Sequence, residues 1–133
     1  MIEKLYFTIY ELCNSATAKK HGINNNPRTM EHIHNLWCLH HYVLRPLRVR
    51  LDKPVIVNSG YRCPEVNRLV GGVSNSQHVL GQAADIKVEK VTARTLFDYI
   101  KNSDIVYDQL ILENGWVHVS YNPKHNRMQA FIL

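Results

Sequence analysis

Apolar residues recur at helical spacing in the first part of this chain and at strand-like spacing from about residue 54 onward. Ile33, Leu36, Trp37, His40, Val43, Leu44 and Leu47 lie three and four apart and predict one face of a long helix, with Thr29 as its N-cap. Pro46 lacks an N–H and is expected to kink or loosen the last turn. Upstream, residues 5–11 are apolar-rich and compatible with a short strand or helix. Ser15 to His21 reads as a short helix, with Ser15 as N-cap and Gly22 as the stop. Asn24-Asn25-Asn26-Pro27 is a loop.

The second half reads differently. Pro54-Val55-Ile56-Val57-Asn58 predicts a buried strand, and Ser59-Gly60-Tyr61-Arg62 turns out of it. A short helix runs from Pro64 to Val70 and stops at Gly71-Gly72. Residues 73–81 form a loop, Ala83 to Val88 a second strand, and Thr92 caps a helix reaching about Lys101. The runs 109–113 and 116–121 flank Asn114-Gly115, a strong hairpin signal. Arg127 to Leu133 supplies a last strand. No repeat, low-complexity segment or linker interrupts residues 1–133, so one domain is expected. Helices followed by a mostly antiparallel sheet argue an α+β fold.

Composition narrows the function classes. A chain of 133 residues, 45% hydrophobic and 20% charged, can bury a core. No apolar run reaches the roughly 18 residues of a membrane span, so no membrane insertion is expected. Met1-Ile2-Glu3-Lys4-Leu5 does not resemble a signal peptide, which predicts synthesis in the cytoplasm. The formal charge of +5 suits an anionic partner. Lys and Arg are nevertheless scattered; the densest group, Arg45, Arg48 and Arg50, ends a helix whose dipole it complements. Nucleic-acid binding would rest on charge alone and is not expected. Cys13, Cys38 and Cys63 are an odd count without a Cys-x-x-Cys pair, which argues against a disulfide framework or a cysteine zinc site.

The eight histidines carry the chemistry. His78 and Asp85 lie seven positions apart, with small residues between them and an apolar-alternating run after. Imidazole and carboxylate suit a zinc-type ion. His118 is the best third candidate. A two-residue turn at Asn114-Gly115 would pair Glu113 with Trp116, Leu112 with Val117 and Ile111 with His118. Trp116, His118 and Ser120 then share a face with Gln109, Ile111 and Glu113. Glu113 falls diagonally from His118, roughly 7–8 Å away between backbones, within reach of a water beside the ligands. Asp108 has the opposite parity. Three protein ligands leave a fourth position for water, as in catalytic zinc sites. Glu113 could then move the proton, and Arg62 could stabilise the developing oxyanion. Ser76 is expected to order the loop by hydrogen bonding, and it could also contact substrate. His32, His34 and His41 do not make one helical face, so no second metal site is expected. His40 reads as a core histidine, Cys63 as a small buried residue, and His21 and His125 as surface residues.

At these residues the sequence resembles a known family. Ser76-Gln77-His78-Val79-Leu80-Gly81-Gln82-Ala83-Ala84-Asp85 matches the pattern S-x-H-x-x-G-x-A-x-D of zinc D-Ala-D-Ala carboxypeptidases and L-alanoyl-D-glutamate endopeptidases, which share a fold with the hedgehog signalling domain. Trp116-Val117-His118 resembles the second histidine motif of that family, and Ser59-Gly60-Tyr61-Arg62 followed by Asn67 resembles its S-G-Y-R…N segment. Glu11-Leu12 through Ala16-Thr17-Ala18 to Arg48 looks like a compact phage- and prophage-associated branch. The resemblance implies Zn2+ on His78, Asp85 and His118, hydrolysis of amide bonds in peptidoglycan stem peptides, and Arg62 beside the substrate carbonyl or carboxylate. Many members place the catalytic acid three residues before the second histidine, where this chain has Gly115; others place it further upstream, which Glu113 satisfies. The expected enzyme is a monomeric zinc peptidase reaching the wall after phage-type release. A zinc-stabilised binding or assembly module of the same fold is the alternative. The bond cut stays open among D-Ala-D-Ala, L-Ala-D-Glu and cross-bridge amides.

Overall fold

The computed structural model describes residues 6–133. Helices come first: α1 (Ile9–Cys13), α2 (Ala16–His21), α3 (Met30–Leu39), a π-helical turn (His40–Leu44) and α4 (Arg45–Leu51). Then follow β1 (Val55–Ser59), α5 (Pro64–Leu69), β2 (Ala83–Val88), α6 (Ala93–Lys101), β3 (Gln109–Leu112), β4 (Val117–Ser120) and β5 (Gln129–Ile132). The five strands form one sheet in the order β1-β2-β4-β3-β5. All pairings are antiparallel except β3 with β5, so the sheet is mostly antiparallel and the fold is α+β, as expected. None of the described helices is long and apolar enough to cross a membrane.

The caps read from sequence are the caps observed. Ser15, Thr29 and Thr92 each accept from the backbone N–H three residues on, and Gly22 closes α2 at φ 65°. Residues 6–11 resolve into loop and helix: Thr8 caps α1, while residue 5 and the leader reading at Met1–Leu5 lie outside the described residues.

Two expectations need correction. Ile33 and Trp37 do not share the buried face of the long helix; they are 41% and 52% exposed. Leu36, His40, Val43, Leu44 and Leu47 are buried as the spacing predicts, and Leu39 joins them. The cause is the π turn. Arg45 N–H bonds back to His40 C=O, five residues earlier, so the turn holds an extra residue and rotates the apolar stripe between α3 and α4. Pro46 does not loosen the last turn. The helical backbone runs through it without a break to Leu51, and the loosening falls one turn earlier, in the wider π turn that directly precedes α4.

The core lies between one sheet face and the helices. Ala84, Ile86, Val88, Leu110, Val117 and Val119 from the sheet meet Leu96, Phe97 and Ile100 of α6 and Leu39, Val43, Leu44 and Leu47 of the long helix. The opposite face carries the polar residues discussed below. All three cysteines are buried and free. Burial pushes the Cys63 thiol up, which agrees with an unreactive packing residue.

A polar clamp anchors the end of the chain. The Asp108 side chain is buried and accepts from Arg127 N–H (2.8 Å), Nε (2.9 Å) and Nη2 (2.8 Å), and from Gln77 Nε2 (2.9 Å). The Arg127 bonds hold its carboxyl below the usual carboxylate range, against the opposing effect of burial. A depressed folded pKa gives stability that is present above the unfolded value near 3.9 and lost as pH falls through the folded value. Asp108→Asn should therefore cost about 1.5–3 kcal/mol at pH 7. The gap to the wild type should narrow as pH falls below about 3.9, as urea titrations at pH 7 and at acid pH would show.

Candidate metal centre

Three elements bring His78, Asp85 and His118 together. β2 and β4 are paired so that Asp85 stands directly opposite His118. Side chains alternate along a strand, so residues in register share a face. The hairpin has the expected register: Ile111 faces His118, Leu112 faces Val117, and Glu113 N–H donates to Trp116 C=O at 3.0 Å. Gly115 takes φ 95°, which glycine tolerates at a tight turn. His78 arrives from the loop before β2, as the ten-residue motif requires.

That loop is held on several sides. Gly81 adopts φ 76°, and a Cβ there would lie 2.6 Å from the His32 carbonyl oxygen, so α3 packs against bare backbone. Asn35 Nδ2 donates to Leu80 C=O at 2.8 Å. The Ser76 hydroxyl accepts from His78 N–H at 3.2 Å, the loop-ordering bond expected of it. Arg62 N–H donates to His78 C=O at 3.1 Å.

The donor atoms converge on one point. His78 Nε2 lies 3.3 Å and His118 Nδ1 3.0 Å from the same oxygen, Asp85 Oδ1. Among the described residues, these three form a His/Asp cluster whose donor atoms all fall within 4.8 Å of one another. Ligands at about 2.0–2.1 Å around a tetrahedral zinc stand about 3.3 Å apart, so the set fits such an ion. His78 Nδ1 lies 2.8 Å from Gly60 C=O, which can only accept. Nδ1 therefore carries a proton, and Nε2, which donates to Asp85 when it is protonated as well, offers its lone pair to a metal when it is not. His78 and Asp85 are buried, and the His118 side chain keeps 13% of its surface exposed.

Asp85 is the electrostatic focus. Burial alone would raise its carboxyl, but hydrogen bonds from His118 and His78 and their charges outweigh that and hold it well below the usual range. Its other oxygen lies 3.5 Å from Arg62 Nη2. Arg62 is itself fixed by Ser59 Oγ (3.0 Å from Nε) and Asn67 Oδ1 (3.2 Å from Nη1). A bulge between Val57 and Ser59 sets Ser59 opposite Asp85 and so delivers Arg62 to the site. Burial lowers the Arg62 pKa, while the Asp85 and Glu113 carboxylates raise it, so Glu113 also acts on this guanidinium. Glu113 Oε2 accepts from Trp116 Nε1 at 2.8 Å.

Some contributors were invisible to the sequence reading. Gly60 acts through its carbonyl, which no side-chain pattern reveals. Trp116 serves as the donor that fixes Glu113, a role its cross-strand position could have suggested. Gln77 bridges Gln82 (3.0 Å) and Asp108 (2.9 Å) and ties the loop to the sheet. Asp108 itself takes no part in the cluster.

With this geometry established, comparison with known proteins places the chain. Residues 5–120 match the sequence profile of the family described as Peptidase M15. The chain belongs to the peptidase M15 family. A 35-residue stretch is 54% identical to the zinc D-Ala-D-Ala carboxypeptidase of Streptomyces albus G. That stretch is 26% of this chain and spans only 14% of that relative's length.

Wild-type protein should retain one zinc per chain after dialysis, and His78→Ala, Asp85→Ala and His118→Ala should each lose it, as elemental analysis by mass spectrometry would show. Gly60→Ala is a subtler probe. A Cβ there would collide with the Leu12 carbonyl, shift the Gly60 carbonyl and lower zinc affinity about 10–100-fold.

Proposed function

We propose that this M15 family member is a zinc-dependent peptidase hydrolysing an amide bond in peptidoglycan stem peptides. The observation that carries the reading is a division of labour between two carboxylates. Asp85 lies inside the three-donor cluster, whereas Glu113 stands outside it, tethered by Trp116 on the same sheet face. Bound zinc would lower the pKa of a coordinated water to about 7 and polarise a carbonyl.

The chain's own residues would do the rest. His78, Asp85 and His118 hold the ion. Glu113 takes the proton of the attacking water and passes it to the leaving amine. Arg62, fixed by Ser59 and Asn67, steadies negative charge on the substrate. A pocket of about 210 Å³ beside it, lined in part by Asn14, Ser15, Thr17, Asn58 and Ser59, leaves room for a substrate carboxylate. Ser76 borders the cluster and could contact the peptide as well as order its loop. The +5 charge suits an anionic wall. The resemblance to a compact phage-type branch supports action on the wall after release from a lysing cell, by a monomer.

Incubation with defined muropeptides and mass spectrometry of the products tests the reading and names the bond. Glu113→Gln should keep stoichiometric zinc and lose turnover on the order of 10²- to 10⁴-fold. Zinc binding by the wild type without release of amino groups from any wall peptide would leave the binding-module alternative.

A further inference from the structure

The candidate centre sits in the middle of a row of side chains that crosses the whole sheet. Register sets Ser59, Asp85, His118, Ile111 and Phe131 opposite one another on successive strands. Paired residues share a face. One end of the row is polar, because Ser59 holds the Arg62 guanidinium. The other end is apolar. Ile111 is half-buried and Phe131 is 40% exposed. Ala130 packs against the core, so its neighbour Phe131 points to the face that carries His118. In the adjacent row Gln109 Nε2 donates to the exposed Gln129 Oε1 at 3.1 Å, placing an amide pair beside the two apolar residues. Ile111 lies within the residues that match the family, whereas β5 and Phe131 lie beyond residue 120, where that match ends.

A single exposed aromatic on a protein surface needs no explanation. These two residues differ because they continue, strand by strand, from a candidate ligand that is partly exposed. We propose that Ile111 and Phe131 form an apolar subsite of an extended cleft, and that it takes the aliphatic part of a substrate residue some way from the bond that is cut. The Gln109–Gln129 pair faces the amides of the same segment. This inference rests on the peptidase reading.

Strand spacing sets the reach. Ile111 lies about 5 Å and Phe131 about 10 Å from His118 between backbones. An extended peptide advances about 3.3 Å per residue. A side chain over Phe131 therefore belongs to a residue about three positions from a carbonyl held at the centre. A dipeptide ends before it reaches the subsite. The cleft should favour longer stem peptides over short ones, with Arg62 marking one end and Phe131 the other.

The test uses the zinc-loaded full chain with a stem pentapeptide and the dipeptide containing the bond cleaved in it. Phe131→Ala and Ile111→Thr should each lower the ratio of kcat/KM for the long peptide over the short one, about tenfold for Phe131→Ala and mainly through KM. Both side chains are partly exposed, and thermal melting checks that the variants fold. An unchanged ratio overturns the subsite while wild-type turnover leaves the peptidase reading standing. Absence of wild-type turnover on either peptide counts against that reading alone. NMR titration with the pentapeptide then decides the subsite independently: shifts of the Phe131 ring and Ile111 methyl resonances support it, and their absence overturns it.

Discussion

A buried carboxylate must be surrounded by donors, and Asp85 shows how far that requirement organises this molecule. Removing an ionised carboxyl from water costs several kcal/mol unless partners replace the lost hydration. Asp85 is only 8% exposed on the interior strand β2. One of its oxygens receives two imidazole nitrogens and the other faces a guanidinium. Each partner depends on a different part of the fold. His118 needs the β2–β4 register, Arg62 needs the bulge in β1, and His78 needs a loop pressed against α3. A one-residue slip of β4 would turn His118 into the core and bring Val117 or Val119 onto the polar face. The apolar face of the sheet and the site are therefore fixed by the same register.

The His78 loop contains no regular structure, yet it has little freedom. Its backbone is tied to Arg62 and Asn35, and Gln77 links it to a carboxylate that also holds the end of the chain through Arg127. This cross-bracing puts a ligand on irregular backbone with the precision usually expected of a strand. It also relates the segment after residue 120 to the centre through one buried side chain, Asp108.

The extent to which the sequence disclosed this arrangement follows from the range of the interactions involved. Thr29, Thr92 and Ser15 announced their helices because capping is local, a side chain meeting a backbone N–H three residues away. The Asn114-Gly115 turn disclosed the hairpin register, and with it the shared face of His118 and Glu113. The long helix was less transparent. A π turn inserts one residue into the repeat, so a stripe drawn at constant period from Ile33 to Leu47 drifts onto solvent at its first half. β5 was visible as a strand, but its parallel pairing with β3 is a tertiary fact. The acceptor at Gly60 and the clamp at Asp108 join residues far apart in sequence through atoms that carry no pattern.

The two carboxylates near the centre stand in different surroundings. Asp85 receives charge-assisted bonds from several directions and is held ionised, so it has little tendency to take up a proton. Glu113 receives one neutral indole N–H on Oε2, and Oε1 takes no part in that bond. It stands one row along the sheet from His118, whose side chain is partly exposed. In the proposed reaction the ligand must stay deprotonated while the base must cycle between forms, and the two roles ask for different carboxylate environments. Placing the tethered residue outside the cluster, rather than at Gly115 on the turn itself, lets Trp116 fix its direction without neutralising it. The same indole thus bridges the turn and occupies one carboxylate oxygen, and in the proposed reaction the other is the one that takes the proton.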